Sequence, residues 1–290
     1  MSQNSGGAGT ADSQIVDVFA VEQIAAEVWR ACAFDPRGGR MFGGTTIAQL
    51  LSAARSSVTG PPRVSSVGIH FVRPADGGVP CEFRVERTYD GRSSATRRVT
   101  VEQHGQTVAI GTVAFHTPHE TWTHGNQSRS VEPDDLPRTG MPHRARAVRS
   151  GAFDIRYHDE FDEGVFVRRL WFRAVEPLPD AVAVHECVLA FFSDLYFFEP
   201  VVAQHGFRAD DRSIRYGTTQ HTMWFHHAPR VDEWLLIESS SPVGAGGRGL
   251  VYGQVRSADG LVIATVVQEV AVRMPTGSAP SAHGEAGASE

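Results

Sequence analysis

The sequence predicts an α+β protein built from two similar units in tandem, each a long helix followed by an antiparallel sheet. Each half contains one apolar, helix-like segment, at 42–58 and at 180–198. Strand-like segments separated by turns follow each of them in the same order. Gly105 and Gly260 close equivalent hairpins 155 positions apart. A constant offset of this kind indicates an internal duplication.

The first half begins with FGGTTIAQLLSAARSSV, in which glycines lead into an amphipathic helix pattern. Four segments rich in β-branched and aromatic residues come next, as expected for strands. They span 64–74, 81–89, 93–105 and 106–116.

The second half repeats this order around a more apolar helix. Pro179 and Asp180 form a helix start signal, and the segment 180–198 is apolar nearly all round, which is typical of a buried helix. Strands are predicted at 153–161 and 165–175 before the helix and at 218–229, 233–241, 248–260 and 261–273 after it. A hydrophobic helix wrapped by a curved antiparallel sheet is the hot-dog arrangement. The predicted fold is therefore a double hot-dog.

The domain boundaries follow from these segments and from composition. Both chain ends are small and polar, which is typical of disorder, and residues 117–150 show no sustained period. The predicted divisions are a tail at 1–12, a first hot-dog domain at 13–118, a linker at 119–150, a second hot-dog domain at 151–275 and a tail at 276–290.

Composition excludes several classes of protein. The net charge is −6, and the 27 basic residues are all arginine and are not clustered, which argues against a nucleic-acid partner. Cys32, Cys81 and Cys187 are widely spaced, so no disulfide framework or zinc ribbon is indicated. The N-terminus lacks a signal-peptide pattern, and no run approaches the roughly 18 apolar residues of a membrane span. We expect a cytoplasmic protein with no membrane partner.

Asp194 is conspicuous because it lies inside the apolar run AFFSDLYFF. On a helix its neighbours three and four positions away are Ala190, Phe191, Phe197 and Phe198. A buried carboxylate is costly unless it is paired or hydrogen-bonded, so Asp194 should have specific partners. The alternative is that the helix ends before Asp194 and the carboxylate caps a turn.

Two other motifs carry less weight. The string GAGGRG at 244–249 matches the dinucleotide fingerprint in letters, but it precedes a strand pattern and lacks the βαβ context, so it predicts a loop between strands. His221 and His227 would lie about 20 Å apart on a strand at roughly 3.3 Å per residue, too far to share a metal ion. Cys187 reads as inert packing. No metal site and no cofactor are predicted.

Thr218 and Gln268 are polar residues in otherwise apolar strand segments. Each alone is ordinary, since threonine favours strands and a glutamine is often at an exposed edge. Together with Asp194 they supply a carboxylate, a hydroxyl and an amide, enough to hold and polarise a water molecule.

From about residue 15 to 275 the chain resembles the acyl-CoA thioesterase II family. The motifs that carry the resemblance are MFGGTTIAQLLSAA, HFVRPAD, RTYDGRSSATRRV, FFSDLYF, HTMWFH, EWLLIESSS, GRG and DGLVIATVVQEV, in that order. The resemblance implies a double hot-dog enzyme that hydrolyses a fatty acyl-CoA to the free acid and CoA. It also implies that Asp194, Thr218 and Gln268 bind the attacking water.

The chain departs from the family pattern at Gln220, where an aspartate is usual, and at Gly68, where a histidine is frequent. We expect both positions to shape the pocket. The first half has glycines around its helix start where the second half has Asp194, which predicts one active site per chain. The low-weight candidates for substrate binding are Gly43, Gly44 and, for the CoA phosphates, Arg73, Arg97 and Arg98, for which a solvated structural role is equally open.

Two alternative functions remain open from the sequence. One is a hydratase or dehydratase of acyl thioesters, which would normally use an aspartate and histidine pair. The other is a binding protein without catalysis, if the residues at positions 68 and 220 have disabled the water site. The sequence does not give the acyl chain length, the carrier, or whether the protein forms a homo-oligomer.

Overall fold

The computed structural model describes residues 15–31, 39–60, 62–125, 132–139, 151–208, 210–211 and 213–274. The first unit contains a 3-10 helix at Ile15–Phe19, β1 (Val21–Ala25), β2 (Val28–Ala31), α1 (Gly43–Ser56), β3 (Arg63–Phe71), β4 (Glu82–Asp90), β5 (Ser94–Gln103) and β6 (Gln106–His116). The second part contains a 3-10 helix at Pro133–Asp135, β7 (Arg138–Thr139), β8 (Phe153–Asp162), β9 (Val165–Ala174), α2 (Val182–Phe192), α3 (Glu199–Ala203), β10 (Arg215–Phe225), β11 (Leu235–Ala245), β12 (Arg248–Ser257) and β13 (Val262–Arg273).

All thirteen described strands form one antiparallel sheet. The strand order in its two halves reflects the internal duplication of the sequence. The order is β1-β2-β4-β5-β6-β3-β10-β13-β12-β11-β9-β8-β7. The first six strands and the next six match one for one when the sheet is followed outwards from the central β3–β10 pair. That pair joins the units, with Val67 opposite Met223. The predicted α+β double hot-dog fold is confirmed.

The helices α1 and α2 pack against each other. They approach closely at Gly44 on α1, where a Cβ would lie 2.2 Å from the carbonyl oxygen of Phe191. An ion pair between Arg55 of α1 and the fully buried Glu186 of α2 also links the units. Burial raises the pKa of Glu186, which also accepts a hydrogen bond of 3.2 Å from the Val64 amide.

Each of the two central strands contains one β-bulge, and the bulges are 154 residues apart. The pairing of β3 with β6 shifts register at Ser65, and the pairing of β10 with β13 shifts at Thr219. An extra residue in one strand reverses which side chains face inwards beyond it. The duplication therefore extends to an irregularity of the backbone.

The helix predicted at 180–198 is shorter than expected. The α2 helix ends at Phe192, where the Ser193 hydroxyl donates to the carbonyl of Ala190 at 2.9 Å. Tyr196 then has a φ of 62°, in the left-handed region that a helix excludes. Pro200 lacks the N–H that a continuous helix would need, so the chain restarts as α3. The apolar run is a helix followed by a buried turn.

The GAGGRG segment is a hairpin loop, as predicted. Strand β11 ends at Ala245 and β12 begins at Arg248, and between them Gly246 and Gly247 have φ values of 59° and 76°. Two consecutive positive φ angles suit a tight two-residue turn, which glycine adopts most easily.

Several predicted boundaries stay predictions. The tail at 1–12 and the tail at 276–290 lie outside the described residues. The described part of the linker at 119–150 adds β7 to the edge of the sheet beside β8. Strands β1 and β2 were not predicted. No helix in the described part of the chain is long and apolar enough to cross a membrane.

Candidate active site

Asp194 lies two residues beyond the end of α2, in the turn that follows it. Its side chain is only 6% exposed and reaches the wall of a cleft between the units. The alternative prediction, that the helix ends before this residue, is correct. The carboxylate nevertheless has the specific partners that its burial demands.

The structure brings together the three predicted catalytic residues. The Thr218 hydroxyl lies 3.0 Å from Oδ1 of Asp194 and donates to it. Nε2 of Gln268 donates in turn to the Thr218 oxygen at 3.1 Å. Asp194 and Thr218 line the cleft, whereas Gln268 is 1% exposed and holds Thr218 from behind.

The bulge at Thr219 turns Thr218 towards the interior. Gln268 and Val270 point to the same face of β13, because they are two residues apart. Their partners on β10 are His221 and Thr218, which are three residues apart and would face opposite sides of a regular strand. The extra residue between them restores the inward direction of Thr218.

The N-terminus of α1 faces the carboxylate of Asp194. A Cβ on Gly43, the first residue of that helix, would lie 2.6 Å from Oδ2. The positive end of the helix dipole stabilises a nearby anion. The carboxylate also lies just past the negative end of α2, so the contact with α1 offsets an unfavourable position.

His221 completes the buried hydrogen-bond network. Its Nδ1 lies 2.7 Å from Oε1 of Gln268, and its Nε2 lies 3.0 Å from the hydroxyl of Ser193. The ring is fully buried, and burial lowers the pKa of His221 to about 4, so the imidazole is neutral at pH 7. Sequence reasoning weighed His221 only as a metal ligand and missed this role.

The corresponding positions of the first unit are apolar. Val64, Val67 and Val113 stand at the places of Thr218, His221 and Gln268, as shown by the offset of 154 to 155 residues and by the equivalent pairing of Val67 with Val113. All three valines are fully buried. Within the described residues these three polar side chains therefore belong to the second unit, and one active site per chain stays a prediction. The reason given for that prediction was wrong, since Gly43 faces Asp194 rather than replacing it.

The cleft has a volume of about 550 Å³ and a basic rim. Its lining includes Arg40 and Arg73 from the first unit and Arg215 and Arg273 from the second, whereas Asp194 is its one acidic residue among the described lining. Arg215 and Arg273 are direct cross-strand partners. Like charges in that position destabilise a sheet, so the rim is suited to an anionic ligand.

Only one of the three arginines predicted to bind phosphate lies at this cleft. Arg73 lines it and also donates to the carbonyl of Thr107 at 2.7 Å. Arg97 is fully buried, and its Nε donates to the Ser57 hydroxyl at 2.7 Å. Its role is therefore structural rather than in phosphate binding. Arg98 has a side chain 59% exposed on the outer face, where it faces Glu86. Of the two predicted glycines, Gly43 lines the cleft and Gly44 is covered by α2.

The two departures from the family pattern do not shape the cleft. Gln220 is exposed and lies on the outer face of the sheet, between Thr219 and the inward-facing His221. Gly68 lies between the buried Val67 and Ile69, and a Cβ there would meet Thr222 on the outer face at 3.4 Å. The expectation that these positions shape the pocket is wrong, because strand alternation points them away from it.

The described residues contain no group of three or more side chains arranged to hold a metal ion. Burial raises the pKa of the Cys187 thiol to about 12, which leaves it protonated and unreactive. Of the three predicted catalytic residues, Asp194 and Thr218 line the cleft, and the amide of Gln268 lies behind them.

Known proteins match both units. Residues 33–116 match the model of the acyl-CoA thioesterase N-terminal domain, and residues 128–272 match that of the acyl-CoA thioesterase C-terminal domain. The chain is 26% identical to acyl-CoA thioesterase 2 of Haemophilus influenzae over 278 residues, covering 90% of this chain and 97% of that protein. It is 28% identical to mouse acyl-coenzyme A thioesterase 8, covering 90% and 89%.

Solved structures agree with the sequence relatives. The acyl-CoA thioesterase II TesB2 of Mycobacterium marinum has 30% identity and a TM-score of 0.75, with 91% of this chain and 98% of that chain covered. A thioesterase II from Thermobifida fusca has 18% identity and a TM-score of 0.73, with 91% and 100% covered, and at that identity it supports the fold alone.

Proposed function

The chain belongs to the acyl-CoA thioesterase II family, and from that membership we propose that it hydrolyses fatty acyl-CoA thioesters in the cleft that holds Asp194. The observation that carries the proposal is the hydrogen bond from Thr218 to Asp194 on the wall of a cleft with a basic rim. A buried carboxylate that is oriented by a hydroxyl is a suitable base for a water molecule.

Asp194 acts as the general base. Water attacks the thioester carbonyl carbon, a carbon–oxygen bond forms, and the proton of the water passes to the carboxylate. The tetrahedral intermediate then collapses, the carbon–sulfur bond breaks, and the CoA thiolate takes the proton from Asp194. Thr218, held by Gln268, fixes the carboxylate in position for both transfers. No covalent acyl-enzyme forms in this scheme.

The first turn of α1 stabilises the oxyanion that develops on the carbonyl. The amide of Gly43, the first residue of α1, has no acceptor within its own helix, because the N–H groups at the start of a helix lack a carbonyl one turn earlier. Gly43 lies beside Asp194, so an amide donor and the base are on the same wall of the cleft. Preorganised backbone donors at a developing charge are typically among the largest contributions to catalysis.

The basic rim favours CoA over an acyl carrier protein as the carrier. CoA has a diphosphate and a ribose phosphate, whereas the prosthetic arm of a carrier protein has one phosphodiester. Four arginines around one cleft match the larger anionic group, and arginine pairs with phosphate in a bidentate manner.

The structure argues against both alternative functions. A dehydratase needs a histidine that reaches the substrate, but His221 is fully buried and both ring nitrogens are engaged by Gln268 and Ser193. A binding protein without catalysis was suggested by the residues at 68 and 220, but both lie on the outer face. The three residues assigned to water binding are linked by hydrogen bonds, from Gln268 to Thr218 and from Thr218 to Asp194.

The test is thiol release from acyl-CoA substrates of several chain lengths, with Asp194→Asn compared to Asp154→Asn. Asp154 is also 6% exposed, but it lies on β8 and faces Arg156 at 3.4 Å. Asp194→Asn should fold normally and lose about 10²- to 10⁴-fold in turnover, the usual contribution of a general base. Asp154→Asn should lower stability and keep turnover.

Substantial turnover by Asp194→Asn, above about a third of wild type, would show that Asp194 is not the base. Absence of thiol release by the unaltered protein on every acyl-CoA tested would instead refute hydrolysis itself.

A further inference from the structure

The side chains of five residues form a continuous chain of hydrogen bonds. Its first residue, Ser193, and its last, Asp194, are neighbours in sequence. Ser193 contacts Nε2 of His221, Nδ1 of His221 contacts Gln268, and Gln268 contacts Thr218. Thr218 contacts Asp194, the residue that follows Ser193 in sequence. The distances run from 2.7 to 3.1 Å, so every link is within hydrogen-bond range.

The carboxylate of Asp194, at one end of this chain of hydrogen bonds, determines which group donates in each of them. Asp194 as an anion can only accept, so the Thr218 hydrogen points at it. The Thr218 oxygen must then accept from the amide nitrogen of Gln268, which turns the amide oxygen of Gln268 to His221. That oxygen needs a donor, so the proton of the neutral imidazole is on Nδ1.

Ser193 is the remaining link. With the proton on Nδ1, Nε2 of His221 accepts, and the hydroxyl of Ser193 is its partner at 3.0 Å. Ser193 also lies 2.9 Å from the carbonyl of Ala190, so its single proton is shared between the two acceptors. The imidazole is fully buried and in edge contact with the ring of Phe197, which leaves it little room to turn.

The first unit contains a natural comparison. Ser57 ends α1 as Ser193 ends α2, and its hydroxyl donates to Ala54 three residues earlier at 2.7 Å. Its other partner is Nε of Arg97, and the positions of His221 and Gln268 are Val67 and Val113. The serine cap is thus common to both units, whereas the chain through histidine and glutamine belongs to the unit with Asp194.

We infer that His221 and Ser193 are positioning residues, which hold the Gln268 amide in the one orientation that lets Thr218 donate to Asp194. The inference rests on the proposed function, since it assigns a role in the same reaction. Neither residue touches the substrate cleft, so their loss should lower kcat and leave KM nearly unchanged.

The experiment compares His221→Leu, His221→Asn and Ser193→Ala with Ser57→Ala, using one acyl-CoA substrate. His221→Leu removes the donor to Gln268 and should lower kcat about tenfold or more, as small misplacements of catalytic groups do. In His221→Asn the amide nitrogen stands where Nδ1 stood, so kcat should stay within about threefold of wild type. Ser193→Ala should lower kcat several-fold, whereas Ser57→Ala should lose stability only.

A direct measurement tests the proton position. The ¹⁵N resonances of the imidazole, assigned by their absence in His221→Asn, should show protonation on Nδ1 at pH 7. Protonation on Nε2 would overturn the inference, and so would equal losses in His221→Leu and His221→Asn, since those would follow from ring packing alone.

The remaining outcomes distinguish failure of the positioning role from failure of the proposed function. If His221→Leu does not fold, the Ser193→Ala and Ser57→Ala pair decides, and equal kcat in both refutes the positioning role. If Asp194→Asn is inactive while the His221 and Ser193 variants keep wild-type kcat, the positioning role is refuted and the proposed function stands. If Asp194→Asn keeps more than about a third of wild-type turnover, Asp194 is not the base and the positioning role fails with it. Absence of thiol release by the unaltered protein refutes the proposed function itself.

Discussion

Gly43 and Asp194 approach each other so closely that residue 43 has no room for a side chain. A Cβ at that position would lie 2.6 Å from Oδ2 of Asp194 and 3.2 Å from the ring of Phe71. Real Cβ atoms do not come this close to an oxygen. The first residue of α1 in one unit therefore determines where the carboxylate of the other unit can lie.

Gly43→Ala should reduce activity without unfolding the protein. Alanine is favoured over glycine in a helix by roughly 0.5 to 1 kcal/mol, so the helix itself should not suffer. The methyl group would displace the carboxylate, and a displacement of about 1 Å can cost as much as 10²-fold in rate. The measurements are kcat/KM for thiol release and the melting temperature.

Gly244→Ala is the matched control for that substitution. A Cβ at Gly244 meets its nearest neighbour at 3.6 Å, an ordinary contact, and the residue lies at the far end of β11. Its activity should equal that of wild type. A similar loss of activity in both variants would contradict the steric argument at Gly43.

Thr218→Val and Gln268→Ala should have effects that combine less than additively with Asp194→Asn. The three side chains act as one unit through the bonds at 3.0 and 3.1 Å, so removing the base makes the loss of its orienting groups nearly silent. Each orienting variant alone should lower turnover. A double-mutant cycle on kcat measures the coupling, and strict additivity would show that Thr218 and Gln268 serve some purpose other than Asp194.

Arg215→Gln and Arg40→Gln should weaken binding of acyl-CoA and leave acyl-pantetheine unaffected. Pantetheine lacks the nucleotide phosphates, so only the full substrate can use the basic rim. We expect about 1 to 2 kcal/mol for each lost contact, or roughly 5- to 30-fold in KM for acyl-CoA. Arg98→Gln on the outer face is the control and should change neither KM. Equal losses on both substrates would indicate a structural role for the rim.

The stability of the protein should fall as the pH is lowered from 6.5 towards 4, partly because of His221. Burial lowers the pKa of His221 from its ordinary 6.5 to about 4, so in this window the unfolded chain binds a proton that the folded protein excludes. The contribution is fully present above pH 6.5 and lost as the pH falls, and it amounts to at most about 3 kcal/mol. Urea unfolding at several pH values, compared with His221→Asn, measures it.

Burial also lowers the pKa of His185 and of His226, and both remain in the His221→Asn variant, so some pH dependence should persist there. The difference between the two proteins isolates His221. Parallel stability curves would mean that the imidazole is charged or exposed in the folded state.

Most of the regular structure follows from local patterns in the sequence. The strands β12 and β13 alternate between buried and less buried residues, and α1 begins at the glycine pair Gly43 and Gly44. The end of α2 was harder to predict, because FFSDLYFF is equally apolar as a helix or as a buried turn. Strand β1 was missed since its residues are almost all exposed, so no apolar alternation marks it.

The proposed catalytic residues were predicted from a family resemblance, and the features that the structure adds at this site do not follow from local sequence. The inward direction of Thr218 depends on a bulge at Thr219, which no propensity reveals. The importance of His221 depends on its lying directly opposite Gln268, a matter of register between distant strands. The basic rim joins arginines at 40, 73, 215 and 273, which are scattered in sequence and meet only in the folded chain.

The bulge at Ser65 in the first unit matches the bulge at Thr219 in the second, although the side chains around them differ. Joining the two units in one polypeptide permits this difference. A dimer of identical chains would carry the same side chains at both bulges, so its two clefts would be equally polar or equally apolar. When the two units are joined in one chain, the sequence of each can change independently of the other. In this chain the first unit is apolar at these positions and places the N-terminus of α1 beside Asp194, while the second unit holds the proposed acid–base groups. Because the two halves divide these roles, the core of the first unit has fully buried valines at the positions of Thr218, His221 and Gln268 and carries no polar side chain at those three places.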